Sequence, residues 1–230
     1  MLPERFQKLK KALLERQLDL TVIMDQVHKP HNMAAILRTS EAIGVHRAHI
    51  VKSPELAFRR PKSAAGVLTW IELDKHDNIE SAYTAARAAG MRIIAAHPAD
   101  NATHFRDYDY SQPTAIVLGT EKEGLSPYAI EQADELITIP MRGLVQSLNV
   151  SVSAALILYE AQRQRELNGA YEHCSFDEKT FKNILFEWSW PRIARYCQQQ
   201  GIAYPEQDMQ TGQIKDMSSF KTKVTSARQN

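Results

Sequence analysis

Short runs that are apolar at nearly every position constrain this chain more than any other feature. LTVIM begins at Leu20, RIIAA at Arg92 and TAIVL at Thr114, and RAHIV from Arg47, TWIELDKH and ELITIP read as further, more mixed strands. A strand with one wet face alternates polar and apolar residues. A continuous run belongs to a strand covered on both faces, the condition of a parallel sheet flanked by helices. The intervening segments read as those helices. NMAAILRTSEAIGV has helical composition, with Asn32 suited to the N-cap and Gly44 to the stop. NIESAYTAARAAG offers Asn78 as cap, Glu80 in the first turn and Gly90 just past the end. SPYAIEQAD is a short helix with Pro127 at its first position. VSVSAALILYEAQRQREL closes the series directly after the polar, bendable stretch MRGLVQSLN. Alternation of this kind over residues 20–168 predicts an α/β fold with a largely parallel sheet.

The flanks differ. Residues 1–19 read as a basic amphipathic helix. Residues 169–230 carry no strand pattern and two helical stretches, DEKTFKNILFEWS and PRIARYCQQQG. The expected division is therefore 1–19, 20–168 and 169–230. At 230 residues, 43% of them apolar and 24% charged, the chain has the composition of a globular protein. None of the apolar runs approaches the ~20 residues that cross a bilayer. MLPERFQKLKKALLERQ lacks the apolar centre of a signal peptide. Cys174 and Cys197 are too few for a disulfide framework, which points to a reducing, cytoplasmic setting. His28 and His31, split by Pro30, have no acidic or thiolate partners nearby, and no metal is expected.

Net charge is only +1, but basic residues are clustered. Arg5, Lys8, Lys11 and Arg16 lie in the first segment, Arg59 and Arg60 precede Pro61, and Arg163 and Arg165 close the last core helix. Local patches of this kind neutralise phosphates while the rest of the surface stays balanced, so these eight residues are the candidates for contact with a nucleic acid.

Ligands of open parallel sheets bind beyond the carboxyl ends of the strands. Three segments fall there: HKPHNMAAILRTS, LGTEKEGLS and IPMRGLVQSLNVS. Neither G-x-G-x-x-G nor G-x-x-x-x-G-K-[ST] occurs, and Ser147 sits in VQSLN rather than G-x-S-x-G, which weakens dinucleotide, nucleoside-triphosphate and serine-hydrolase readings. Taken singly, Gly119, Gly124 and Gly143 are turn residues, Glu121 and Arg38 surface charges, and Asn149 a helix cap.

Together and in order, the three segments resemble the three motifs of the SpoU/TrmH group of SPOUT methyltransferases, which methylate ribose 2′-hydroxyls in RNA. N-x-x-x-x-x-R is matched by Asn32 and Arg38, L-G-x-E-x-x-G by Gly119, Glu121 and Gly124, and I-P-M-x-G-x-x-x-S-L-N-V-S by the segment holding Ser147 and Asn149. The match covers residues 20–168, and VHKPHN and LYEAQRQR extend it toward members acting on the tRNA D-loop guanosine at position eighteen. Another tRNA or ribosomal ribose is the nearest alternative, and a non-catalytic RNA-binding protein on the same scaffold a more distant one. The resemblance implies a C-terminal deep trefoil knot, a homodimer and S-adenosylmethionine as cofactor. It implies cofactor contacts at Ala96, His97, Leu118, Gly119, Ile139, Met141, Ser147 and Leu148. It implies catalytic roles for Asn32, Arg38, Glu121, Ser147 and Asn149, with Arg38 serving a pocket completed by the partner subunit. Arg38 is either the base that takes the hydroxyl proton or a clamp on the adjacent phosphate. A guanidinium pKa above about 12 favours the second role.

Overall fold

The computed structural model describes residues 1–52, 66–216 and 220. It divides into two compact units, 16–172 and a terminal unit made of 1–15 with the chain from 173 onward. The segments expected as separate extensions thus contribute to one unit, with boundaries at 15/16 and 172/173.

The larger unit is built on a sheet of seven strands: β1 (Leu20–Met24), β2 (Arg47–Val51), β3 (Glu72–His76), β4 (Arg92–Ala96), β5 (Thr103–His104), β6 (Thr114–Leu118) and β7 (Glu135–Thr138). Every pairing is parallel, and the order is β3-β2-β1-β6-β4-β7-β5. The continuous runs behave as their composition demands, since all five residues of β1 and of β6 are buried. The α/β expectation holds. The two-residue strand β5 carries no apolar run and escapes sequence reading; it pairs at the edge with β7.

Two apolar layers cover the sheet. On one face Leu20, Val22 and Met24 of β1 meet Ile36 and Leu37 of α2 (Pro30–Ala42), and Ala154, Ile157 and Leu158 of α5 (Val150–Leu167). On the other, Ile23, Ile93 and Val117 pack under Ala82, Tyr83 and Ala86 of α3 (Ile79–Ala88) and Ala129 of α4 (Pro127–Glu131). Asn78 caps α3 by accepting the Ser81 amide at 2.9 Å, and Gly44 and Gly90 stop their helices at positive φ, as expected.

One expectation about α2 is corrected. The helix starts at Pro30 with Lys29 as its N-cap residue, so Asn32 lies inside the first turn, and its side chain is free for other work. Pro30 fits because its fixed φ and missing N–H cost nothing at that position.

In the terminal unit, α1 (Pro3–Leu14), α6 (Glu178–Ser189) and α7 (Pro191–Gln200) form a small helical cluster. Phe6 and Leu13 of α1 bury against Phe181 and Leu185 of α6. Gly212, at φ +75°, lets the C-terminal turn close on Phe6, whose ring would lie 2.5 Å from any Cβ there.

Candidate active site

The carboxyl ends of β1 and β6 are adjacent, tied by Asp25 N–H donating to the Leu118 carbonyl at 2.8 Å. Three loops emerge from the carboxyl ends of β1, β6 and, beyond β4, β7, and they are the three segments singled out in the sequence.

Directly after β6 the chain makes a tight reversal. Thr120 and Gly124 exchange backbone hydrogen bonds at 2.8 and 3.1 Å, and Gly124 takes φ +72°. Gly119 is held against this turn: a Cβ there would sit 2.3 Å from the Gly124 carbonyl. The reversal puts Glu121 at its tip, facing the first turn of α2. Asn32, 2% exposed, donates its amide to Glu121 Oε1 at 2.9 Å. Asn149 donates to the same Oε1 and to Asn32 Oδ1, the latter at 3.2 Å. Its own Oδ1 accepts from Ser151 N–H at 2.8 Å, capping α5. One asparagine thereby fixes both the start of the last core helix and the carboxylate. Three residues from three separate segments converge as the motifs implied.

A fourth residue completes the cluster. Lys29 forms an ion pair with Glu121 Oε2. The ammonium, with the Asn32 amide, holds the Glu121 carboxyl below the usual carboxylate range, so it is an anion and a hydrogen-bond acceptor at neutral pH. Lys29 was not among the sequence candidates. Its only signal was position, in the polar break HKPHN after the first strand. Lys29, Asn32 and Glu121 line a cavity of about 370 Å³, together with His28, Lys122, Glu123 and Val150.

Two expected site residues stand apart. Arg38 is exposed on α2 and, six residues from Asn32, projects from a different face; it has no hydrogen bond or ion pair among the described residues. Ser147 is exposed in the loop before α5 and does not meet the Asn32–Glu121–Asn149 cluster.

The expected cofactor positions lie at the neighbouring strand ends. Ala96, Leu118 and Ile139 belong to the apolar layer beneath α2 and α5, and His97 donates its amide to the Ile137 carbonyl at 3.0 Å. From Ile139 to Leu148 no residue makes a backbone–backbone hydrogen bond among the described residues. Backbone polar groups left in this way need water or a ligand. A loop with open amides and carbonyls beside an apolar floor and a glycine fits a purine-bearing cofactor.

The basic candidates separate by burial. Arg5, Lys8 and Lys11 are exposed on α1, and Arg163 is exposed but paired with Glu160. Arg16 and Arg165, each 1% exposed, are corrected from RNA contacts to structural residues. Arg16 bonds Glu41 and the Val45 carbonyl; Arg165 bonds Asp19, Gln17 and the carbonyls of Tyr110 and Gln112. Arg59 and Arg60 lie outside the described residues. Also among the described residues, no helix is long and apolar enough to cross a membrane, and no group of three His, Cys, Asp or Glu side chains is placed to hold a metal.

The parallel sheet and the Asn–Glu–Asn cluster beside its glycine-clamped turn accord with the methyltransferase class that the three motifs resemble, and the comparisons with known proteins carry that assignment. Residues 19–159 match the SpoU rRNA Methylase family, and residues 163–217 match that family's C-terminal segment. The chain belongs to the SpoU rRNA methylase family. It is 44% identical over 212 residues to the tRNA (guanosine(18)-2′-O)-methyltransferase of Escherichia coli K12, covering 91% of this chain and 93% of the relative. It is 41% identical to the enzyme of that name from Thermus thermophilus, covering 80% and 95%. Among solved structures, an Aquifex aeolicus TrmH/SpoU tRNA modifying enzyme superposes with a TM-score of 0.75 at 38% identity, covering 83% of this chain and 97% of the other. A Streptomyces viridochromogenes SpoU methyltransferase in complex with AdoMet gives 0.57 at 27% identity, covering 67% and 62%.

Proposed function

We propose that this protein transfers a methyl group from S-adenosylmethionine to the 2′-hydroxyl of the D-loop guanosine at position eighteen of tRNA, in the cytoplasm. The convergence of Asn32, Glu121 and Asn149 carries the reading. The relatives named for that reaction, alike over nearly their whole length, support the substrate.

The cofactor supplies an electrophilic methyl carbon. The chain supplies position and a polar pocket. The open backbone of 139–148 and the floor of Ala96, Leu118 and Ile139 hold the adenosine, with Gly119 allowing close approach and His97, Met141, Ser147 and Leu148 at its edge. Asn32 and Asn149, both donating to Glu121 Oε1, fix the orientation of the carboxylate at the cavity. A carboxylate held below its usual range is a weak proton acceptor, so Glu121 orients the ribose by accepting from a hydroxyl rather than removing its proton. Arg38, on the far side of α2, acts in the pocket of a second copy, where its fork clamps the phosphate beside the reacting ribose.

The second copy docks on α5. Val152, Leu156 and Tyr159 recur at helical spacing and are 46%, 39% and 55% exposed, an apolar stripe on a core helix. Insertion of β6 between β1 and β4, with β7 beyond, supports a trefoil knot threaded by the segments that hold the cofactor. The exposed Arg5, Lys8 and Lys11 grip the tRNA backbone.

Incubation with isotope-labelled S-adenosylmethionine and mixed unmodified tRNA, followed by nucleoside mass spectrometry, tests the reaction. Labelled 2′-O-methylguanosine is expected. Label in a methylated base instead of a ribose would overturn the reading.

A further inference from the structure

We propose that Lys29 is a ligand for the substrate's phosphodiester, and that Glu121 is its counter-ion only until the RNA arrives. The inference rests on the ribose-methylation reading given above and adds a residue to it.

Lys29 stands where the cavity opens, at the N-cap of α2, with a side chain 48% exposed. It caps nothing, and its ammonium pairs with Glu121 Oε2. A pair this exposed is screened by solvent, so exchanging the carboxylate for a phosphate loses little. Glu121 is not stranded by the exchange, because Asn32 donates to its other oxygen at 2.9 Å and Asn149 donates there too. The carboxylate keeps its orientation and gains a free Oε2 facing the cavity, where a ribose hydroxyl can donate to it.

His28 and Lys122 line the same cavity beside a second carboxylate, Glu123, and the first turn of α2 carries no acidic residue. A nucleotide entering a pocket of about 370 Å³ brings its phosphate with its ribose. The exposed end of the cavity is where that charge can remain partly hydrated, and Lys29 stands there. Glu121 therefore has opposite effects on binding and on turnover. At rest it competes with the phosphate for Lys29; during reaction it orients the ribose.

The test measures binding of unmodified tRNA transcript at several salt concentrations, and single-turnover methyl transfer, for wild type, Lys29→Gln, Lys29→Arg and Glu121→Gln. Lys29→Gln should weaken tRNA binding roughly tenfold and flatten the slope of log K against log salt by about 0.7–0.9, one phosphate contact. Lys29→Arg should restore most of both. Glu121→Gln should slow methyl transfer but bind tRNA as tightly as wild type or several-fold more tightly. S-adenosylmethionine affinity should be the same in all four. If Lys29→Gln slows transfer with affinity and salt slope unchanged, Lys29 merely holds Glu121 and the proposal fails. Equal loss of tRNA affinity in Lys29→Gln and Glu121→Gln would also overturn it. Wild type that binds tRNA without methylating it contradicts the underlying reaction, and the inference falls with it.

Discussion

Gly119 has no room for a side chain. A methyl there would meet the Gly124 carbonyl at 2.3 Å, and the obstacle is backbone rather than a movable side chain. Gly119→Ala should destabilise the protein by about 1–3 kcal/mol, the usual cost of forced overpacking. It should also weaken S-adenosylmethionine binding measured by calorimetry, because the Glu121 turn is displaced. Unaltered melting and binding would show that the turn relaxes freely. Arg38→Ala should abolish methyl transfer while leaving cofactor affinity nearly intact; unchanged turnover would remove Arg38 from the mechanism. The contrast between Asn32 and Asn149 shows what was legible at this scale. Both asparagines precede apolar helical patterns and both suit a cap. Asn149 is one, and Asn32 is not, because Pro30 starts the helix earlier and turns Asn32 inward to Glu121. Convergence across the long separation between these segments is a property of the fold. Composition cannot show it, and only the resemblance pointed to it. Lys29 was missed for the same reason, since its partner is far along the chain.

Among the elements, α5 ties together segments of the larger unit that are far apart in the chain. Arg165, near its end, satisfies carbonyls of Tyr110 and Gln112 and pairs with Asp19, pinning the segments that lead into β6 and β1. Arg165→Ala should cost about 3 kcal/mol in urea unfolding, whereas Arg163→Ala, removing an exposed pair, should change it far less. A similar loss for both would refute the structural assignment. From sequence these two arginines look alike; burial separates them, and burial depends on which face of a helix meets the sheet. The edge strand β3 and its neighbour β2 carry a pH response. His49, 4% exposed, lies 2.9 Å from the His76 ring, and burial, reinforced by His76, holds its pKa down to about 4. The unfolded chain takes up that proton near pH 6.5, and the folded chain resists until about pH 4. Stability should therefore fall as pH drops through that window, by up to about 1.4 kcal/mol per pH unit, and hold steady above it. His49→Gln should flatten the slope in urea melts between those two pH values.

At the scale of the whole molecule, the central strands β1, β4 and β6 were written plainly in their continuous apolar runs and α3 and α5 in their caps, whereas the edge strands β3 and β5 carry no such run. The terminal segments were less legible. Their amphipathic patterns were visible, but not that α1 and α6 share a core, since an apolar face does not name its partner. The exposed stripe Val152, Leu156 and Tyr159 predicts that Leu156→Asp converts a dimer to a monomer in sedimentation experiments and suppresses methyl transfer, if Arg38 serves the other copy. A monomeric wild type would contradict this. Replacing Arg5, Lys8 and Lys11 with Gln should weaken tRNA binding and reduce its salt dependence while leaving cofactor affinity unchanged. The most direct test of the proposed reaction is to map the modified nucleotide on a defined, unmodified tRNA transcript after reaction with S-adenosylmethionine. A single 2′-O-methyl group on the D-loop guanosine at position eighteen is the predicted result. A methyl group on any other nucleotide, or on a base, would contradict it.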